Sequence, residues 1–244
     1  MHRLPVSRDL LNDDIPPLNH DMRSHIKAVR LKDGEEIELF DGLGHARMYK
    51  YSAKDKALLG AGNLREEKRN GVEVILFACI TKGARWDWTI EKATELGVTK
   101  IVPVISQRTI VRLSSEERAA KQSRWRKLAE EAARQCGSMW IPDISPAVDF
   151  NNALELMNGL NCFAGIISNR VVRSLAEVAS ECKAANQSGE FGVIIGPEGD
   201  FTDEEKDMLA KKAHSVSFGN SILRAETAAI YAISVLKAIL EAKQ

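Results

Sequence analysis

Two glycine-containing turns late in the chain carry residue types that could cradle a small ligand. The first is Gly192-Val-Ile-Ile195-Gly196-Pro197-Glu198-Gly199-Asp200-Phe201-Thr202. An apolar strand runs into a turn where Gly196 and Gly199 let the backbone approach a ligand and Pro197 fixes the dihedral. Thr202 and Glu205 have capping-box spacing, which predicts a helix start. The second is Val216-Ser-Phe218-Gly219-Asn-Ser-Ile222-Leu223-Arg224-Ala-Glu226-Thr227-Ala228, again strand, glycine turn and helix start. Each alone also fits a plain strand-to-helix connection. As a pair, they point to the carboxyl edge of an open α/β sheet, where free amides and helix N-termini gather and ligands bind. Neither is GxGxxG, which disfavours a Rossmann dinucleotide fold.

The elements that must position these turns follow from periodicity. Residues 35–50 alternate and break at Asp41 to Gly44, predicting two strands joined by a tight turn, with another strand at residues 57–62. Residues 65–71, Arg-Glu-Glu-Lys-Arg-Asn-Gly, contain no apolar side chain and read as a solvated linker. A small β-rich domain over 1–68 and a larger domain over 72–244 result. In the larger part, strands at 72–80 and 101–105 flank a helix near 86–96, the alternation of a parallel sheet with crossover helices. An amphipathic helix is predicted over 116–136, with Trp125, Leu128, Ala129, Ala132, Ala133 and Cys136 on its apolar face and Gly137 as its stop. Further strands are expected at 162–167, 191–195 and 216–218. The final helix, 223–242, is apolar nearly all round, which implies burial on more than one side, as a second subunit would provide.

Composition narrows the class without naming it. The 244 residues are 44% hydrophobic and 28% charged, an ordinary globular mix that argues against disorder. Its 34 basic and 34 acidic side chains cancel, so any phosphate-binding surface is local. No apolar run is long enough to span a bilayer and the first residues lack a signal peptide, so no membrane association and a cytoplasmic location are expected. Cys79, Cys136, Cys162 and Cys182 form no CxxC pair and read as buried free thiols. No metal site is expected.

Taken together, the residues resemble the ribosomal RNA small-subunit methyltransferase E family of the SPOUT class. Gly196-Pro-Glu-Gly199 followed by Phe201-Thr202 is similar to the family's GPEGG-type loop, and Gly219 with Ile222-Leu-Arg-Ala-Glu-Thr-Ala228 to its ILRxETA segment. Lys92-Ala-Thr-Glu-Leu-Gly-Val98, Pro103, Arg108, Glu131-Ala-Ala-Arg-Gln-Cys136 and Ile141-Pro142 match the middle. His25-Ile-Lys-Ala-Val-Arg30 and Phe40-Asp41-Gly42 resemble elements of its PUA-like RNA-binding barrel. The chain departs from the family at Asp200, where many members carry glycine. It also lacks an arginine within Gly137-Ser-Met-Trp140 and an acidic residue within Ser168-Asn-Arg-Val.

The resemblance implies an α/β fold: a SPOUT-type parallel sheet with a C-terminal trefoil knot, preceded by a PUA-like β-barrel, working as a homodimer. It implies transfer of a methyl group from S-adenosyl-L-methionine to N3 of a uridine in 16S rRNA, in the 30S subunit or a late assembly particle. Ile167, Ile195, Gly196, Pro197, Glu198, Gly199, Phe218, Gly219, Ile222, Leu223 and Thr227 would hold the cofactor. Arg108 and Arg224 would stabilise a uridine anion, and Glu226 would act as base or orienter; an Arg224–Glu226 ion pair is the structural alternative. Arg3, His25, Lys27, Arg30, Lys82, Arg85, Lys92 and Arg112 are the RNA-binding candidates, each alternatively a solvated surface residue. Two other functions fit the same residues: a non-catalytic RNA-binding assembly factor, or a related enzyme acting on tRNA.

Overall fold

A computed structural model describes residues 2–69, 72–166, 172–185 and 189–242. The chain divides into two units, Met1–Arg69 with Glu130–Ile141 and Asn70–Ala129 with Pro142–Gln244. The return of Glu130–Ile141 to the first unit has no compositional signature in the sequence.

In the first unit β1 (His2–Pro5) precedes α1 (His20–Ala28), β2 (Glu36–Phe40), β3 (His45–Ser52), β4 (Ala57–Gly60) and β5 (Arg65–Glu66). β1 runs parallel to β2, and β3 pairs antiparallel with β2, β4 and β5. The alternating pattern of residues 35–50 forms the β2–β3 hairpin. Asp41 closes its tip by accepting from the backbone N–H groups of Leu43 and His45 at 2.7 and 3.0 Å. Apolar side chains from the hairpin, Ile37, Leu39 and Tyr49, meet Met22 and Ile26 of α1 in a buried core. The expected linker is in part a strand, because Arg65 pairs with the buried carboxylate of Glu38 while its backbone joins β3.

Arg3 shows why charge alone misleads. Expected among the RNA-facing cations, it is instead 5% exposed, paired through Nε with Glu38. Its Nη1 donates to the carbonyls of Ala133 and Ser138 at 3.1 Å each, and its guanidinium lies 4.5 Å from the Phe40 ring centroid. Burial of an arginine requires such partners, and here they fix β1 to its surroundings.

The second unit is a parallel sheet. Its strands are β6 (Glu73–Cys79), β7 (Lys100–Ile105), β8 (Asp143–Ile144), β9 (Val148–Asp149), β10 (Asn161–Gly165), β11 (Glu190–Ile195) and β12 (His214–Val216). Spatial order is β12-β10-β11-β6-β7-β8, with β9 also on β7. The connecting helices are α2 (Ala84–Glu95), α3 (Ser115–Cys136), α4 (Phe150–Leu156), α5 (Leu175–Ala185), α6 (Asp203–Leu209) and α7 (Ala225–Glu241). Strands β6, β7 and β11 read as near-continuous apolar runs because helices cover both faces of a parallel sheet. On one face Phe77, Val102, Val104 and Ile194 pack with Phe150, Leu154, Phe201 and Leu209. On the other, α7 lies against β6, β11, α2 and α5. Within its own chain α7 buries Ala228, Ala229, Ala232, Ile233, Leu236 and Leu240, and it leaves Tyr231 38% exposed. Among the described residues no helix is long and apolar enough to cross a membrane.

The capping box is present in full: Glu205 N–H donates to Thr202 Oγ1 at 3.3 Å and Thr202 N–H to Glu205 Oε2 at 3.0 Å. The expected strand at 216–218 instead ends at Val216, with Ser217 in an isolated parallel bridge to Ser174 and Phe218 in the turn. The thiols divide, contrary to the expectation that all are buried. Cys79 and Cys162 are buried, Cys182 is half-buried and Cys136, beyond the packed part of α3, is exposed. Burial pushes the Cys79 thiol up to about 11 and the Cys162 thiol up to about 12. Raised values mean less thiolate, so at pH 8 an aromatic disulfide reagent is expected to label Cys136 rapidly and Cys182 more slowly in the native protein. Cys79 and Cys162 react only after unfolding, as peptide mass mapping of the labelled sites would show.

Candidate functional site

Strands β10, β11 and β12 end together around a cavity of about 420 Å³. The first turn contributes Ile195, Gly196, Pro197 and Glu198, and the second contributes Phe218, Gly219, Ile222, Leu223 and Arg224. Gly165 and Ile166 line it from the end of β10. Of the expected cofactor residues, Gly199 and Thr227 stand outside this wall, and Ile167 lies outside the described residues, as does the 168–171 stretch. Thr227 is exposed on α7, pointing away because the helix turns it off the cavity side that Ala225 and Ala228 occupy.

Backbone conformation explains the turn residues. Gly219 has φ +110, a region side chains rarely adopt, and nothing lies within 4 Å of where a Cβ would stand. Asp200 also has a left-handed φ, +57. Aspartate tolerates this better than most residues when its side chain bonds locally. Here Oδ1 accepts from the Phe201 N–H at 2.8 Å and Oδ2 pairs with Lys206 Nζ at 2.7 Å. The departure from glycine therefore exchanges backbone freedom for two polar ties.

Gly165 was missed in the sequence. A Cβ there would overlap the Phe218 ring, which itself stacks obliquely on Tyr231 with centroids 5.6 Å apart. A glycine at the end of an apolar strand was the available signal, since it marks close approach of other atoms.

Arg108 braces the first turn from the loop after β7: its Nη1 donates to the Gly199 carbonyl at 3.0 Å and to that of Phe201 at 3.5 Å. The neighbouring Gln107 N–H donates to Glu205 Oε1 at 2.8 Å, tying that loop to the capping box. Arg85 pairs with Glu198 at 3.2 Å. Arg224 is exposed at the cavity wall. Glu226, on the first turn of α7, is not among the residues that line the cavity, and its Oε2 is buried with no hydrogen-bond partner among the described residues. Among the described residues Arg224 and Glu226 form no ion pair, so the structural alternative for these two is not the arrangement found.

The RNA-binding candidates separate by what they touch. Lys27, Arg30 and Lys82 are exposed and unpaired among the described residues. Lys92 is held by Glu91 and Glu95 at 2.8 Å each, and Arg112 donates to the carbonyls of Ser106 and Gln107 at 3.0 and 2.6 Å. Both are occupied by their own chain rather than presented to a partner. Burial first, then the charges of Arg134 and His2, lowers the His25 pKa below its ordinary value. A lowered value favours the neutral imidazole.

A parallel sheet whose strand ends gather two glycine turns over one cavity is joined here by a direct family match. Residues 68–237 match the RNA methyltransferase domain and residues 23–59 the RNA methyltransferase PUA domain. These two modules define an RNA methyltransferase with a PUA domain. The ribosomal RNA small subunit methyltransferase E 2 of Borreliella burgdorferi is 30% identical over 175 residues, covering 71% of this chain and 69% of that protein. Its counterpart from Synechocystis sp. is 28% identical over 219 residues, covering 88% and 70%. The crystal structure of a ribosomal RNA small subunit methyltransferase E from Neisseria gonorrhoeae bound to S-adenosyl methionine superposes with a TM-score of 0.77 at 27% identity, over 97% of this chain and 96% of that one. The chain belongs to the ribosomal RNA small subunit methyltransferase E family.

The close approach at Gly165 is open to test. Gly165→Ala is expected to lower stability to urea by about 1–3 kcal/mol through overpacking against Phe218. Adding Phe218→Leu should recover most of that loss, giving a non-additive double-mutant cycle. Unchanged stability of Gly165→Ala would show that the ring has room to move.

Proposed function

We propose that the protein methylates N3 of a uridine in 16S rRNA, using S-adenosyl-L-methionine and acting on the 30S subunit or a late assembly particle. The observation that carries this reading is the cavity bounded by the two glycine turns, in a chain of a family that acts on small-subunit rRNA. Its volume lies in the roughly 300–1,000 Å³ range of small-molecule sites. Open space beside Gly219 and apolar walls at Ile166, Phe218 and Leu223 suit a flat heteroaromatic ring. Residues 195–199 and 218–223 would hold adenine and ribose through backbone groups. When bound there, the cofactor supplies a sulfonium methyl as electrophile.

The chain's own residues must then ready the uridine, because N3 is a poor nucleophile until its proton leaves. Glu226 is suited to take that proton or orient the base: its Oε2 is buried without a donor. Arg224, at the cavity wall and unpaired among the described residues, would stabilise the anion left on the uracil. Arg108 would add to this with the guanidinium N–H groups not used on Gly199 and Phe201.

The same reading includes a C-terminal trefoil knot, supported by chain path: β12 sits beside β10 at the sheet edge, whereas α7, which follows it, packs on β6, β11 and α2. It includes a homodimer, for which Tyr231 of α7 and Trp88 of α2, 38% and 41% exposed, offer apolar surface. It also includes an RNA-binding module over 1–68, with Lys27 and Arg30 as contacts, ahead of a methyltransferase module in which Lys82 would be a further contact, and work in the cytoplasm, where ribosomal subunits carry the proposed substrate.

Tritium transfer from labelled S-adenosyl-L-methionine into 30S subunits from a strain lacking the activity tests the proposal. N3-methyluridine in the digested 16S rRNA is the expected product. Label appearing only in tRNA would move the substrate assignment, and cofactor binding with no label in either RNA would favour a non-catalytic assembly factor.

A further inference from the structure

Arg69 and Trp140 belong to the first unit, and neither is among the residues that line the cavity. The Arg69 guanidinium carbon lies 4.4 Å from the centroid of the Trp140 indole. Among the described residues Arg69 makes no hydrogen bond or ion pair and its side chain is exposed, so a planar cation is held in place with its N–H donors unused. The indole beneath is itself fixed. Gly44 packs so closely on it that a Cβ there would overlap the six-membered ring, and Gly44 N–H donates to the Met139 carbonyl at 3.1 Å. Leu43 pairs with Trp140 in an antiparallel bridge, which directs both side chains to one face, and Leu43 is 62% exposed. Asp41 rigidifies the tip that presents Leu43 by accepting from the Leu43 and His45 N–H groups.

We propose that Arg69, backed by Trp140 and flanked by Leu43, is a stacking platform for one unpaired nucleobase of an RNA strand. A guanidinium plane fixed over an aromatic ring leaves its outer face free, and unpaired bases stack on such planes. A guanidinium laid over an indole offers a planar face, which favours a base as the group held here. The inference rests on RNA as the substrate and assigns a contact outside the methyl-transfer site.

Fluorescence anisotropy with 5′-fluorescein hexa-adenylate and full-length protein tests it. Arg69→Ala is expected to raise Kd about tenfold, within the range of one lost base stack. Arg69→Lys keeps the charge without the plane and should lose most of the affinity too. Thermal melting should be unaltered in both, since Arg69 is exposed. Wild-type affinity in Arg69→Ala, full retention by Arg69→Lys, an equal loss on a blunt RNA duplex, or no binding of the probe by wild type would each overturn the proposal. Methyl transfer measured on the same proteins separates the two readings: weakened RNA binding by Arg69→Ala without transfer by any form would retain the platform and remove the enzyme.

Discussion

Parallel pairing of β10 with β11 on one side and β12 on the other sets Gly165 opposite both Ile195 and Val216. The cavity exists because of that register: the strand ends lie at one level, so the turns after β11 and β12 face each other across Gly165 and Ile166. A slip of one residue in either pairing would exchange the faces of the strand and carry Phe218 away from the gap that Gly165 leaves for it. Close backbone approach at Gly165 and strand register are thus one constraint seen from two sides.

Around that constraint the turns are held by polar ties rather than by packing alone. Thr202 and Glu205 cap α6 reciprocally, and Glu205 reaches on to the Gln107 N–H. Arg108 then carries the connection back to the Gly199 carbonyl. Buried polar groups that satisfy one another in this way restrict a loop to one arrangement, so residues 197–201 meet the cavity already shaped. The charges of the turn are matched as well, Glu198 by Arg85 and Asp200 by Lys206. Among the described residues Arg224 has no such partner and neither does Glu226 Oε2, which is why the proposal gives them the chemistry.

Local patterns were readable in the sequence wherever their causes are local. The β2–β3 hairpin, the capping box, the apolar strands β6, β7 and β11, and both glycine turns follow from alternation, spacing and turn chemistry over a few residues. What escaped depends on partners distant along the chain. Arg3 looks like a surface cation until β1 pairs with β2 and delivers it to Glu38. Gly165 is an unremarked strand residue until Phe218 arrives 53 positions later. The short strands β8 and β9 and the helix α4 lack the length that makes periodicity legible. Family resemblance supplied what periodicity does not, the expectation of which cofactor the two turns would hold.

Calorimetric titration of S-adenosyl-L-methionine into wild-type protein and into a Gly196→Val, Gly219→Val double variant tests the central claim most directly. A Cβ at Gly196 would press on Phe201, and one at Gly219 would be strained by its φ, so both turns would be altered at the cavity. Saturable binding by the wild type and none by the double variant, with its thermal transition retained, is the predicted result. Unchanged affinity in a folded double variant would contradict the assignment of these turns to the cofactor.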